Sequence, residues 1–297
     1  MTVGVAIITH NAKKHLPFCL PPLLRSGLNP KILLVNSSSQ DGTVEEAKQM
    51  GVETLVIPRA EFNHGKTRNL ACSYLNTDIV VMMTPDAYPQ HDDFIEKLVD
   101  PILRKKASLT YARQLPHTNA KTLESFVRYF NYGEKSELRG LSSIRKKGST
   151  AFFCSNSAAA YSKEALDSVG GFQDVLLGED TLACAHLILK GHSVAYVADA
   201  IVKHSHSYTL KDEFKRAFDT GLARASYDLP KLKSIRSLGY LYLIEMLKFL
   251  KKEKPSLIPY GMMHLTAKTL GYLIGSKSKD APLSLKKRLS SQDFYWS

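Results

Sequence analysis

Five places in this 297-residue chain put chemically capable side chains where a loop could present them. Asp86 leaves the apolar run Asp78–Met83 in Thr84-Pro85-Asp86-Ala87-Tyr88-Pro89. A carboxylate there could hold Mg²⁺ or Mn²⁺ against a diphosphate, since hard cations take carboxylate and phosphate oxygens; a Pro-Asp pair also suits a plain turn. Asp41 sits in Val35-Asn36-Ser37-Ser38-Ser39-Gln40-Asp41-Gly42-Thr43, a loop able to hydrogen-bond a base or ribose, or simply to cap the next helix. Glu179 and Asp180 open an apolar helix behind Gly178. Acids there act as caps or dipole partners, or as a general base taking a hydroxyl proton. His204 and His206 face one way if the chain is extended, and either could ligate a metal or stay an ordinary solvated or core histidine. Lys66 and Arg68 open a helix where Gly65 permits close approach, an arrangement that suits phosphate. The same segment, Ala60-x4-Gly65-Lys66-Thr67, approaches a P-loop, but Ala60 replaces the first glycine and Pro58-Arg59 interrupts the run.

These side chains need a scaffold, and the first hundred residues read as one. The apolar run Val3–Ile8 predicts a parallel strand buried on both faces, Lys31–Val35 and Glu53–Ile57 read as further strands, and Asp78–Met83 reads as the most buried one. Helical segments fall between them at Lys14–Leu24, Thr43–Met50 and Lys66–Leu75. Strand and helix in alternation imply an α/β fold with a doubly wound, mostly parallel sheet. Ligands bind beyond the carboxyl ends of such strands, which selects the loops Thr9–Asn11, Asn36–Thr43, Arg59–Asn69 and Thr84–Pro89. Further on, Leu109–Ala112 and Ala151–Cys154 read as short strands around a basic loop with helical pieces, Phe126–Ser149. Helices are expected at Lys163–Val169 and Glu179–Leu189, a strand at Ser193–Val197, and helices again after Tyr208. The expected division is a catalytic domain over 1–230 and a basic helical region over 231–297.

Composition bounds the rest. An apolar share of 44% with 23% charged residues excludes wholesale disorder and fibrous repeats. Net charge is +12, and residues 231–297 carry 13 Lys+Arg against four acids, so most of the excess lies there. Such a balance calls for a phosphate-rich partner, an anionic membrane face or a phosphorylated small molecule. No nucleic-acid motif accompanies it, and nucleic acid is not expected as a partner. Cys19, Cys72, Cys154 and Cys184 are scattered among apolar neighbours, as buried thiols in a reducing cytosol would be. Neither a signal segment nor an 18-residue apolar span is legible, so a cytoplasmic protein, peripheral at most on the inner membrane face, is expected.

Taken together, the loops resemble the family 2 glycosyltransferases of the GT-A fold, and within them the bacterial rhamnosyltransferases. Ile7-Ile8-Thr9-His10-Asn11 resembles the opening strand and nucleotide loop, and Val35–Thr43 the family's Asp-x-Ser-Ser-x-Asp-x-Thr segment, with Asn36 in place of its first acid. Phe62-Asn63-His64-Gly65-Lys66-Thr67-Arg68-Asn69 is similar to a block of the rhamnosyltransferase branch. Asp86-Ala87-Tyr88 stands where the family has its metal-binding Asp-x-Asp, with Tyr88 replacing the second acid. Glu179-Asp180 resembles the Glu-Asp pair whose Asp is the base, and His204 follows at the usual distance. The resemblance covers roughly residues 2–215.

What it implies is an inverting transfer of a sugar, L-rhamnose from dTDP-rhamnose foremost, from a dTDP- or UDP-linked donor to a glycan or lipid-linked acceptor in polysaccharide biosynthesis. Asp180 would be the base. Thr9, Asn11, Asn36, Ser38, Asp41, His64, Lys66, Arg68, Asn69, Asp86 and Ala87 would bind the nucleotide sugar, with Asn156 and Glu179 on the acceptor side. Asp86 and His204 would hold a divalent metal, Mg²⁺ or Mn²⁺. A homodimer stays open, as do two other readings: a P-loop phosphotransferase built on Gly65-Lys66-Thr67, and a non-catalytic binder of nucleotide sugar or nucleic acid.

Overall fold

A computed structural model describes residues 1–227, 229 and 236–296. The expected boundary between 230 and 231, with Lys231 and Lys233, lies outside the described residues. In chain order the elements are β1 (Val3–Thr9), α1 (Leu16–Leu24), β2 (Lys31–Asn36), α2 (Thr43–Gln49), β3 (Glu53–Val56), α3 (His64–Leu75), β4 (Ile79–Met83), β5 (Tyr88–Pro89) and α4 (Phe94–Leu103). Then come β6 (Leu109–Leu115), α5 (Thr122–Asn131), β7 (Glu137–Arg139), α6 (Leu141–Lys147), β8 (Ala158–Ser162), α7 (Lys163–Ser168), α8 (Glu179–Leu189) and β9 (Val194–Lys203). Helices α9 (Leu210–Ser226), α10 (Arg236–Glu253), α11 (Ile258–Ser276) and α12 (Leu283–Leu289) follow. Two compact units result: 1–115, 132–174 and 179–204 form the first, and 116–131, 175–178 and 205–297 the second.

The first unit is built on one sheet, ordered β3-β2-β1-β4-β8-β6-β9-β5 with β7 also on β9. β1 and β4 are buried at every residue, as their unbroken apolar runs require. The strands β3, β2, β1 and β4 run parallel, so their carboxyl ends open on one edge. Beyond β4 the sheet is mixed: β8 lies antiparallel between β4 and β6, and β9 runs parallel to β6. The expected strand at Ala151–Cys154 is instead the end of a 3₁₀ turn over Gly148–Phe152, and the strand comes later, at β8. Alanine has little strand propensity, but Ala158, Ala159 and Ala160 are buried, the last two with neighbours on both edges, and that pairing overrides it.

The second unit is helical. Phe126 of α5 packs with Met246 and Leu250 of α10. Helices α9 and α11 meet backbone to backbone through glycines. A Cβ on Gly275 would lie 2.0 Å from the Phe218 carbonyl oxygen, and one on Gly271 would lie 2.3 Å from that of Phe214. Gly275→Ala is therefore expected to cost about 1–3 kcal/mol, the usual penalty of overpacking. Gly239→Ala, in α10 with nothing within 4 Å of its added carbon, should be neutral or gain about 0.5–1 kcal/mol. Denaturant unfolding of the two variants checks the contrast, and equal shifts would contradict the close α9–α11 packing.

Candidate active site

The carboxyl ends of β1 and β2 are cross-braced. Thr9 and Asn36 pair in register, and the Asn36 amide donates to Thr9 Oγ1 at 3.1 Å and to Ser39 Oγ at 2.7 Å. Both residues are buried. The loop's exposed face carries His10, Asn11, Ser38 and Asp41. Asn11 and Ser38 adopt positive φ, and Asn11 is tied to Ser39 and Gln40. Asp41 accepts from the N–H groups of Lys13 at 3.0 Å and Thr43 at 3.1 Å and from the Thr43 hydroxyl. Desolvation acts to raise its carboxyl, but these donors hold it below the usual carboxylate range. Lys13, Lys14, Pro17, Asp41 and Glu46 line a shallow cleft of about 390 Å³ beside it.

The helix α3 turns its first donors inward. Asn63 caps it, its side chain accepting from Gly65 N–H at 2.9 Å and Lys66 N–H at 3.0 Å, while Thr67 N–H reaches the Asn63 carbonyl. A Cβ on Gly65 would sit 2.0 Å from the Gln173 carbonyl oxygen. The glycine thus makes room for this chain's own backbone, and the amides a P-loop would offer to phosphate are already spent. Lys66 pairs with Asp174 at 2.7 Å on the surface. Asn69 exchanges two hydrogen bonds with the Phe172 backbone. Arg68 is buried, one turn from His64: its Nη1 donates to the His64 carbonyl at 2.9 Å and lies 3.1 Å from Glu179 Oε1.

That ion pair is 5% and 6% exposed, which makes it a core interaction. Asn156 completes it. Its side-chain amide donates to Glu179 at 3.1 Å and accepts from the Tyr161 hydroxyl at 2.7 Å, and its backbone N–H donates to Asp180 Oδ2 at 3.2 Å. Burial alone would push the Glu179 carboxyl up, but Arg68, His64 and Asn156 hold it below its ordinary 4.5. Its neighbour goes the other way. Desolvation, then the Glu179 charge, push the Asp180 carboxyl up to about 6, although Asn156 and Thr181 N–H groups oppose them. Two adjacent acids are thereby split into one held charged at neutral pH and one that exchanges a proton near neutrality.

Asp86 and His204 meet by sheet register. β5 pairs antiparallel with β9, Tyr88 opposite Lys203, so the turn carrying Asp86 faces the end of β9. Ala87 is buried in that turn. Asp86 Oδ2 lies 3.5 Å from His204 Nε2, and the imidazole is buried. Tyr88, in the place of a second acid, turns its hydroxyl to His15 Nδ1 at 2.7 Å.

Residues 4–170 match the family model described as glycosyl transferase family 2. Over its full length the chain is 34% identical to the O-antigen chain rhamnosyltransferase RfbN of Salmonella typhimurium, covering 96% of it. The chain belongs to glycosyl transferase family 2. It is a glycosyltransferase. The O-antigen chain rhamnosyltransferase WbaN of Salmonella anatum is also 34% identical, over 90% of this chain and 86% of that one. The fold is that of the mannosyltransferase PcManGT from Pyrobaculum calidifontis, solved in complex with GDP-Man and Mn²⁺ (TM-score 0.63, 15% identity, 94% of this chain and 87% of that one). It is also that of S. aureus TarS 1-349, solved with UDP-GlcNAc (TM-score 0.53, 14% identity, 100% and 90%).

Three side chains of this glycosyltransferase that stand beside the site escape a reading of its loops: His15, Gln114 and Tyr161. None lies in a motif, and a strand-buried glutamine carries no periodic signal; only register brings Gln114 to His204. The thiols Cys19, Cys72, Cys154 and Cys184 are buried and free of disulfides. Arg68→Met should destabilise the enzyme by about 3–5 kcal/mol, because Glu179 keeps a buried charge with no counter-ion. Arg68→Met/Glu179→Met should recover most of the loss. Since Glu179 has a lowered folded pKa, its contribution is full above 4.5 and fades as pH falls through the folded value. Urea unfolding at pH 7.5 and pH 4 measures both effects.

Proposed function

We propose that this glycosyltransferase moves L-rhamnose from dTDP-L-rhamnose to a hydroxyl of a glycan or lipid-linked saccharide, inverting the anomeric carbon. The 34% identity to two O-antigen chain rhamnosyltransferases supports the sugar and the acceptor class. The observation that carries the mechanism is the raised carboxyl of Asp180, set by burial and Glu179 and held in place by Asn156. A base tuned near the working pH transfers protons best. Asp180 takes the acceptor hydroxyl proton, the oxygen attacks the anomeric carbon, and the sugar–phosphate bond breaks with the nucleoside diphosphate leaving. His10, Asn11, Ser38 and Asp41 face the nucleoside on the rigid backing of Thr9 and Asn36. Lys66 faces the diphosphate or sugar, and Arg68 serves the base through Glu179.

Asp86 and His204 suit a hard divalent ion, Mg²⁺ or Mn²⁺: a carboxylate oxygen and an imidazole nitrogen converge at 3.5 Å. Bound there, the ion would offset negative charge on the departing diphosphate. The Mn²⁺ held with GDP-Man by the mannosyltransferase of like fold is in keeping with this.

A peripheral membrane seat for the second unit belongs to the same reading. One face of α11 exposes Met262, Met263, Leu270, Leu273 and Ile274, between Lys251, Lys252 and Lys254 before it and Lys277, Lys279, Lys287 and Arg288 after it. No helix among the described residues is long and apolar enough to cross a bilayer. Apolar stripe and basic flanks together suit an anionic lipid face, each basic residue adding about 1 kcal/mol near it.

Two outcomes test the proposal. Asp180→Asn should lower turnover of dTDP-rhamnose by about 10²–10⁴-fold with donor binding kept. The wild-type rate should fall tenfold per pH unit below about 6, because the raised group must be deprotonated to act. A flat profile from pH 5 to 8 would remove Asp180. In the second test, co-sedimentation with anionic liposomes should fall with salt and with Leu270→Glu/Leu273→Glu. Equal recovery on neutral vesicles, or a concentration-dependent dimer from the same face, would refute the membrane seat.

A further inference from the structure

One buried polar side chain near the site has no part in the mechanism so far. Gln114, in the penultimate position of β6, is 1% exposed. Its place is set by register: Gln114 pairs with Val202 and Leu115 with Lys203, and the His204 N–H reaches the Leu115 carbonyl at 2.9 Å. His204 is therefore pinned to the end of β6 by its backbone. Its ring turns back along that strand, with Nδ1 at 2.9 Å from Gln114 Oε1. The other end of the glutamine is also seated, Nε2 donating to Ser155 Oγ at 2.9 Å, an oxygen that accepts from Ser157 N–H as well. With the amide nitrogen committed to Ser155, the oxygen is left for His204, and a carbonyl oxygen only accepts. His204 then donates from Nδ1. Its Nε2 faces Asp86 Oδ2 across 3.5 Å. An imidazole nitrogen and a carboxylate oxygen set face to face in this way can share one cation.

We propose that Gln114, seated on Ser155, is a positioning residue that fixes the His204 tautomer and so makes Nε2 the metal-facing atom. This rests on the reading of Asp86 and His204 as metal ligands. The arrangement is that of a metal-bound histidine whose far nitrogen donates to a neighbouring carbonyl or carboxylate. The brace reaches further through the next residue. Asn156 holds Glu179 by its side chain and Asp180 by its N–H, so the dipeptide Ser155-Asn156 steadies the metal end and the base end at once.

The test uses the full-length enzyme, Mn²⁺ and dTDP, with free Mn²⁺ read by electron paramagnetic resonance. Gln114→Leu should weaken Mn²⁺ binding by about 10–100-fold. Gln114→Glu, whose carboxylate also accepts from Nδ1–H, should stay within a few-fold of wild type, and Asp86→Ala should bind least. In the metal-free protein at pH 8, ¹⁵N-histidine NMR should report His204 as the Nδ1–H tautomer in wild type and Gln114→Glu. Its signal is assigned by loss in His204→Gln, and wild type alone suffices should Gln114→Leu not fold. If Asp86→Ala loses Mn²⁺ while Gln114→Leu binds as tightly as wild type, or if wild-type His204 is the Nε2–H tautomer, the Gln114 proposal is overturned and the metal site stands. Equal Mn²⁺ binding by wild type and Asp86→Ala overturns the metal reading and this proposal together.

Discussion

The buried contact between Arg68 and Glu179 is the constraint from which the rest of the catalytic unit follows. A carboxylate with so little exposure is tolerable only beside a guanidinium, and here the pair also draws in the His64 carbonyl and Asn156. It locks the start of α8 onto α3. Its cost is met elsewhere in the same motif: the glycine that lets α3 approach the Gln173 backbone, the asparagine that caps it, and Asn69 gripping Phe172. The charge that Glu179 keeps at neutral pH then acts on Asp180. Desolvation raises that neighbouring carboxyl first and the Glu179 charge raises it further, so a buried ion pair influences how its half-buried neighbour holds a proton.

The sheet divides the work between its halves. Parallel strands deliver a row of loop ends on one edge, with Thr9 and Asn36 bonded across the gap so that the residues beside them project outward on a fixed frame. The mixed half does something parallel pairing does not. Antiparallel β5 on β9 folds the Asp86 turn against the end of a strand over a hundred residues later, and antiparallel β8 returns Asn156 to the same edge. The Asp86 turn and Asn156 reach this edge because β5 and β8 run backwards.

The second unit follows a different rule. Helices α9 and α11 approach through Gly271 and Gly275, leaving no room for side chains between them. On the opposite face of α11, Met262, Met263, Leu270, Leu273 and Ile274 form an exposed stripe, while Ile258 and Leu265 pack against the Phe126 cluster. Close glycine packing on one face and exposed hydrophobes on the other are two sides of one sequence choice.

The sequence by itself determined the alternating strands and helices of the first hundred residues and the four loop ends on which Asp41, Asp86 and their neighbours sit, since the apolar runs of β1 and β4 have only a doubly buried strand to occupy. The order of its motifs was also enough to place it in its family, because types and spacings are carried in one dimension. Only the tertiary structure decided that Arg68 points inward to Glu179, and that Gly65 serves a backbone contact. The same holds for Ala158–Ser162 forming a strand where Ala151–Cys154 does not, and for Gln114 standing behind His204. Each of these depends on partners between 48 and 111 residues away, and on whether both edges of a strand are filled. Local propensity holds no record of such pairings: alanine reads as helix and glutamine as surface until a neighbouring strand takes up their hydrogen bonds.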